Sequence, residues 1–247
     1  MTDVAGTTDI EKVSDKIRKL LSLAGSPNEF EATAALEKAH ELLEKYNLDI
    51  MDVETKDENL PDLIQGETPY GGQWERTIYR GVAYSNYCKT IGTGNGKLTI
   101  LGRLPNVMTT VELSRWIIQQ VERISLEEAT NYRPMAIING RMMKTGISKT
   151  KWRNDFLDGV SARIFSRLQE FSLERQDQNM NVSALTIRLD QEASDFLYEK
   201  YPNRTDCNYT ARGSSGYYAG VKAGDGVGLV APSRHVGSGA LRLNGGS

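Results

Sequence analysis

Between Asp15 and Leu48 the chain spells out two amphipathic helices and the turn that joins them. Ile10, Val13, Ile17, Leu20, Leu21 and Leu23 recur at spacings of three and four, which places them on one helix face. Gly25 follows the last of them, where a residue just past a helix takes positive φ without a Cβ penalty. Ser26-Pro27-Asn28-Glu29 then opens the second helix: Ser26 can accept from an orphan N–H, Pro27 suits the first helical position, and Glu29 stands at the capping-box position. The second stripe is Phe30, Ala34, Leu36, Ala39, Leu42, Leu43 and Tyr46. Ala32, Ala34, Ala35 and Ala39 are small enough to let the two helices approach closely.

The same hairpin carries a family resemblance. Ile17-Arg18-Lys19-Leu20-Leu21, Leu23-Ala24, Ser26-Pro27-Asn28-Glu29, Glu31-Ala32, Ala35 and Glu41-Leu42-Leu43 resemble the bacterial and phage family known as domain of unknown function 2786. Members often continue into a longer region, to which Leu101-Gly102-Arg103 and Trp152 to Phe165 are similar, more weakly. The resemblance implies a soluble protein common in phages and mobile elements. It implies no catalytic residue.

A chain of 247 residues, 39% of them apolar, can bury a sizeable core as one domain with appendages or as two small ones. No apolar run approaches the length of a membrane span, and MTDVAGTTD has neither the basic nor the apolar part of a signal peptide. The expectation is a cytoplasmic protein with no membrane partner. Two cysteines, Cys88 and Cys207, and two histidines, His40 and His235, are too few for a disulfide framework or a Cys- and His-rich zinc site. No metal and no cofactor is expected. The glycines around Lys97 do not form a phosphate loop: Ile91 stands where the first glycine belongs, and Leu98 follows Lys97 where Ser or Thr is required.

Asp49 to Gly72 is polar and acidic and reads as a linker. Trp74 to Tyr87 reads as a helix, and Lys89 to Leu101 as a β-hairpin turning at Gly92–Gly96. A long helix is expected over Pro105–Asn131. A second short hairpin is expected about Asn139-Gly140, flanked by the apolar patches Met135–Ile138 and Met142-Met143. Another helix runs from Lys151 to about Leu173, with Phe156, Leu157, Val160, Ile164, Phe165 and Leu168 inward. Ser183–Leu189 alternates as a strand does, and Gln191–Tyr201 reads as a short helix closed by Pro202. Gly216, Gly220 and Gly224 would form a smooth stripe on a helix, allowing close backbone contact. The expected fold class is α+β. Its parts are a helical hairpin (1–52), a linker (53–72), a helix-rich core with a small antiparallel sheet (73–203) and a Gly-rich tail (204–247).

Charge is unevenly spread about a net −2. Residues 1–70 hold sixteen acids against seven bases, whereas 133–175 hold nine bases against Asp155, Asp158, Glu170 and Glu174. The bases of 133–175 are interleaved with Tyr132, Trp152, Phe156 and Phe165, and the densest of them are Arg141, Lys144, Lys149, Lys151 and Arg153. Lys and Arg track phosphates, and bases stack on aromatic faces without sequence preference. These residues point to a non-catalytic nucleic-acid-associated protein that binds single strands, alone or as a homo-oligomer. Its site would be Arg141, Lys144, Lys149, Lys151, Trp152 and Arg153. The Tyr209, Arg212, Tyr217, Tyr218 and Lys222 group is similar in character. One alternative is a docking or adaptor protein, or one that modulates a host factor, holding a protein partner through acidic residues 1–52. The other is an enzyme of unrecognised type, for which the carboxylate pairs Asp155/Asp158 and Glu192/Asp195 and a Cys–His pairing are the only candidates.

Overall fold

A computed structural model describes residues 63–229 other than 70, 95, 139–140, 145, 179 and 206–212, together with 12–13, 15–17, 19–20, 22–23, 34–35, 38–39, 41–43 and 45. His40, Cys207, Tyr209, Arg212 and His235 lie outside the described residues. The fold class is α+β, as the sequence predicts. In the N-terminal segment, the described residues of 12–23 and 34–45 are helical. Ile17, Ala39 and Leu43 are buried against Val13, Leu20 and Leu42 as the stripes require, but Leu23 (50% exposed) and Ala34 lie off the buried face and Ala35 lies on it.

The core is built on a three-stranded antiparallel sheet: β1 (Leu63–Glu67), β2 (Lys89–Gly92) and β3 (Leu98–Arg103), in the order β1-β3-β2. Every residue of β3 is buried because both of its faces are covered. Leu98 and Ile100 pack on Tyr79 and Ala83 of α1 (Gln73–Ser85) and Val107 of α2 (Leu104–Asn131). The opposite face meets a helix that returns from far along the chain, joined by Arg103 to Glu192 and by Lys89 to Asp190. β1 is a correction to the expected linker. LIQGE is too short and too weakly patterned to announce itself, and its pairing partner lies far along the chain, with Leu63 opposite Arg103.

The main core lies between helices. Ile78 and Val82 of α1 and Leu113, Ile117 and Val121 of α2 pack on Trp152, Phe156, Val160, Ile164 and Leu168 of α3 (Lys149–Gln178). α4 (Met180–Lys200) follows. It replaces the expected strand over Ser183–Leu189, a second correction. The apparent alternation yields to a helical spacing in which Leu189 and Ala193, four apart, are buried while Ile187 is 69% exposed. α5 (Ser215–Gly226) lies along α3, and Val227 and Leu229 complete the core. Residues 213–229 are therefore core and not an appended tail, a third correction. Between α2 and α3 stands a separate two-stranded antiparallel ribbon, β4 (Met135–Ile138) and β5 (Arg141–Lys144). Among the described residues, no helix is long and apolar enough to cross a membrane.

Candidate nucleic-acid interface

From Ala129 to Asn154 the chain has six bases and no acid. The fold divides that run among three elements: the end of α2, the β4–β5 ribbon and the first turns of α3. The ribbon forms because apolar residues flank Asn139-Gly140 and only two residues separate Ile138 from its partner Arg141. Met135 opposite Lys144 and Ile137 opposite Met142 set the register, so Met135, Met142 and Lys144 share one face and Arg141 takes the other. α3 starts where Ser148 accepts from the backbone N–H of Lys151 at 3.1 Å.

The structure treats the six expected site residues differently. Arg141, Lys144 and Lys149 are exposed and make no ion pair among the described residues. Lys151 is exposed but holds Asp155 at 2.9 Å, one helical turn on. Arg153 reaches across to α2, donating Nε–H to Ser125 Oγ at 3.1 Å, with Glu122 at 3.9 Å. Trp152 is the correction: only 7% exposed, it stacks on Tyr132 (centroids 4.7 Å apart) and on Phe156 (5.4 Å). Its position follows from the spacing Trp152, Phe156, Val160, Ile164 and Leu168, four apart along the buried face of α3. A ring enclosed this way offers no free face to a base.

Three other bases of 133–175, Arg133, Arg163 and Arg167, have structural work. Arg133 donates to the carbonyls of Thr130 and Tyr132 at the end of α2. Arg163 joins Asp225 at 2.6 Å and Glu170 at 2.9 Å. Arg167 donates to the carbonyls of Gly224 and Val227, satisfying backbone acceptors at the end of α5. Two further residues that the sequence does not single out stand exposed on the ribbon, Met142 (71% exposed) and Met135 (40% exposed). The apolar patches beside Asn139-Gly140 were the signal.

The catalytic candidates are engaged otherwise. Asp155 accepts from Lys151 and, at 2.8 Å, from the Ser214 hydroxyl that caps α5. Glu192 accepts a forked pair of bonds from Arg103, and Asp195 accepts from Gln191. Cys88 is buried beneath β3, and desolvation pushes its thiol up to about 12, too high to supply a thiolate nucleophile near neutrality. The groove beside Tyr79 contains Arg76 and Arg115, but Arg76 is bound to Gly71 and Gln73 and Arg115 to Glu112. No group of His, Cys, Asp and Glu side chains among the described residues could hold a metal ion.

Residues 12–49 match the family described as Protein of unknown function (DUF2786). No curated protein and no solved structure matches the chain.

Proposed function

We propose that this protein, whose N-terminal hairpin is of the DUF2786 type, is a non-catalytic nucleic-acid-associated protein that holds phosphate backbones through its ribbon and the start of α3. The observation that carries this reading is the exposure of Arg141, Lys144 and Lys149, without ion-pair partners among the described residues, on a stretch free of acids. Three such cations on neighbouring elements form an electrostatic footprint that the net charge of −2 conceals. Lys151 adds to it when phosphate competes with Asp155. Helix pairs at this spacing contribute about 0.3 to 0.5 kcal/mol, and Asp155, its side chain 17% exposed, keeps its bond from Ser214 when Lys151 turns to phosphate.

The test is fluorescence anisotropy of labelled DNA and RNA, single- and double-stranded, across a salt series. Affinity should fall linearly in log–log form, with a slope near 0.7 to 0.9 per phosphate neutralised. Replacing Arg141, Lys144 and Lys149 together by Ala should flatten that slope by about two to three. Absence of binding to every probe at low salt would sink the proposal.

A second reading, a docking module in residues 1–52, is favoured by the hairpin's own apolar cluster and by the family match being confined to it. Under it, removing residues 1–52 abolishes capture of a protein partner and spares nucleic-acid binding.

A further inference from the structure

We infer that the β4–β5 ribbon is an arm for duplex DNA. It enters the major groove with Met142 and Met135 towards the base edges, and Arg141, Lys144 and Lys149 on the flanking phosphates. This rests on the nucleic-acid reading above and names the form of nucleic acid that the same surface takes.

Three observations carry it. The ribbon is a two-stranded sheet of its own, so among the described residues both of its outer edges lack a neighbouring strand. A lone two-stranded hairpin is marginal in water, and this one leaves Met142 71% exposed and Met135 40% exposed on one face. Such a face calls for a partner that covers it. The charge says which: Arg141 and Lys144 stand on the ribbon itself and Lys149 beside it, with no acid from Ala129 to Asn154. A second copy paired edge to edge would bring like charges together. A polyanion would be attracted.

Among polyanions, geometry and side-chain chemistry favour the B-form duplex. Two strands about 4.8 Å apart, with their side chains, match a major groove about 12 Å wide, which admits a two-stranded ribbon. Lying along the groove, four residue pairs extend about 13 Å, roughly four base-pair steps of 3.4 Å, so Met135 and Met142 on one face can meet the floor together. A-form RNA presents a deep, narrow major groove that side chains cannot read. Single strands are held by stacking on aromatic rings. In this region the aromatic residues are Tyr132 and Trp152, and they are stacked on each other. What the ribbon offers instead is thioether side chains, suited to apolar contact with thymine methyl groups.

The experiment measures anisotropy of the full chain with a 20-base-pair DNA duplex, one of its strands alone, and an RNA duplex of the same sequence. DNA duplex should bind at least tenfold more tightly than either other probe. Methyl green, which occupies the major groove, should displace the protein, and netropsin, which occupies the minor groove, should not. Met142→Asn should weaken duplex binding about tenfold without changing the salt slope, because no charge is lost. Lys144→Ala should reduce the slope by about 0.9. Equal or tighter binding of the single strand or the RNA duplex would overturn the arm while leaving the phosphate reading standing. Displacement by netropsin alone would overturn it too. So would a dimer without DNA that Met142→Asn dissociates, which would give the ribbon to a second copy. Absence of binding to all three probes would overturn both readings.

Discussion

At the scale of the residue, Trp152 shows how a charged neighbourhood misleads. Lys149, Lys151 and Arg153 alternate around it, and in sequence that looks like a stacking platform. The helical period decides otherwise, since Trp152 belongs to the buried four-residue series that continues through Phe156 and Val160. Trp152→Ala should therefore cost about 3 to 5 kcal/mol of stability, read as a lowered denaturant midpoint. A variant that unfolds at the wild-type midpoint yet loses DNA affinity would contradict the burial. Cys88 permits a second prediction. Burial raises its thiol to about 12 from an ordinary value of 9.0, and burial also raises the Tyr79 hydroxyl. In the unfolded chain the thiol ionises above about pH 9, while in the folded protein it stays protonated to about 12. Between those values the unfolded state binds fewer protons, so stability falls with rising pH, by at most about 1.4 kcal/mol per unit for this group. Melting temperature should drop from pH 9 upward, and Cys88→Ala should make the drop shallower. An unchanged slope would mean that the thiol titrates normally.

Elements that depend on local spacing were legible before the fold was known. The helices over Gln73–Ser85, Leu104–Asn131 and Lys149–Gln178 follow apolar stripes, and the turns between β2 and β3 and between β4 and β5 follow Gly and Asn-Gly signals. What was not legible depends on distant partners. β1 exists because β3 needs a second neighbour, and α4, with Leu189 and Ala193 buried, is joined through Asp190 and Glu192 to a sheet formed about a hundred residues earlier. The glycine stripe of α5 lies between these cases. Its spacing of four was visible, but its partner, Gly159 of α3, was not. A Cβ on Gly220 would strike the carbonyl of Phe156, and one on Gly159 would strike the carbonyl of Tyr217. Backbone stands against backbone on both helices, and neither side can yield by rotating a side chain. Gly220→Ala should separate α3 from α5 and destabilise by more than the roughly 1 kcal/mol that Ala gains over Gly in a helix interior. Gly226→Ala, where nothing lies within 4 Å, should lose far less; near-equal losses in the two variants would rule out helix contact as the cause. The join between β3 and α4 is as specific. Arg103, 4% exposed, donates both Nε–H and an Nη2–H to Glu192. Glu192→Ala leaves a buried guanidinium without its carboxylate and should cost about 3 kcal/mol. Replacing both partners by apolar residues should restore much of that loss in chemical denaturation.

At the scale of the whole molecule, the acidic hairpin and the basic ribbon enter the core at opposite ends of one helix. Leu63, where the described core begins, pairs with Arg103 at the start of α2, and the ribbon begins just beyond Asn131 at its end. Twenty-eight residues of α-helix separate these points by about 42 Å. The residues 49–62 that link the hairpin to β1 number fourteen. Such a chain spans at most about 48 Å fully extended, and about 20 Å as a coil. At a coil's span the hairpin, about 18 Å long for a helix over 12–23, would approach the ribbon only when laid out along α2, one orientation among many. Its charge cannot act from a distance either, because the screening length at physiological salt is about 8 Å. The sixteen acids of residues 1–70 should therefore leave the ribbon open. A chain lacking residues 1–52 should bind duplex DNA within about twofold of the full-length protein at physiological salt, and its salt slope should be the same. A tenfold gain on removing the hairpin, largest at low salt, would show that the hairpin reaches the ribbon and competes there as an acidic mimic of the nucleic acid. Dilution would then separate the two routes: competition within one chain does not depend on protein concentration, whereas competition between chains weakens as the protein is diluted.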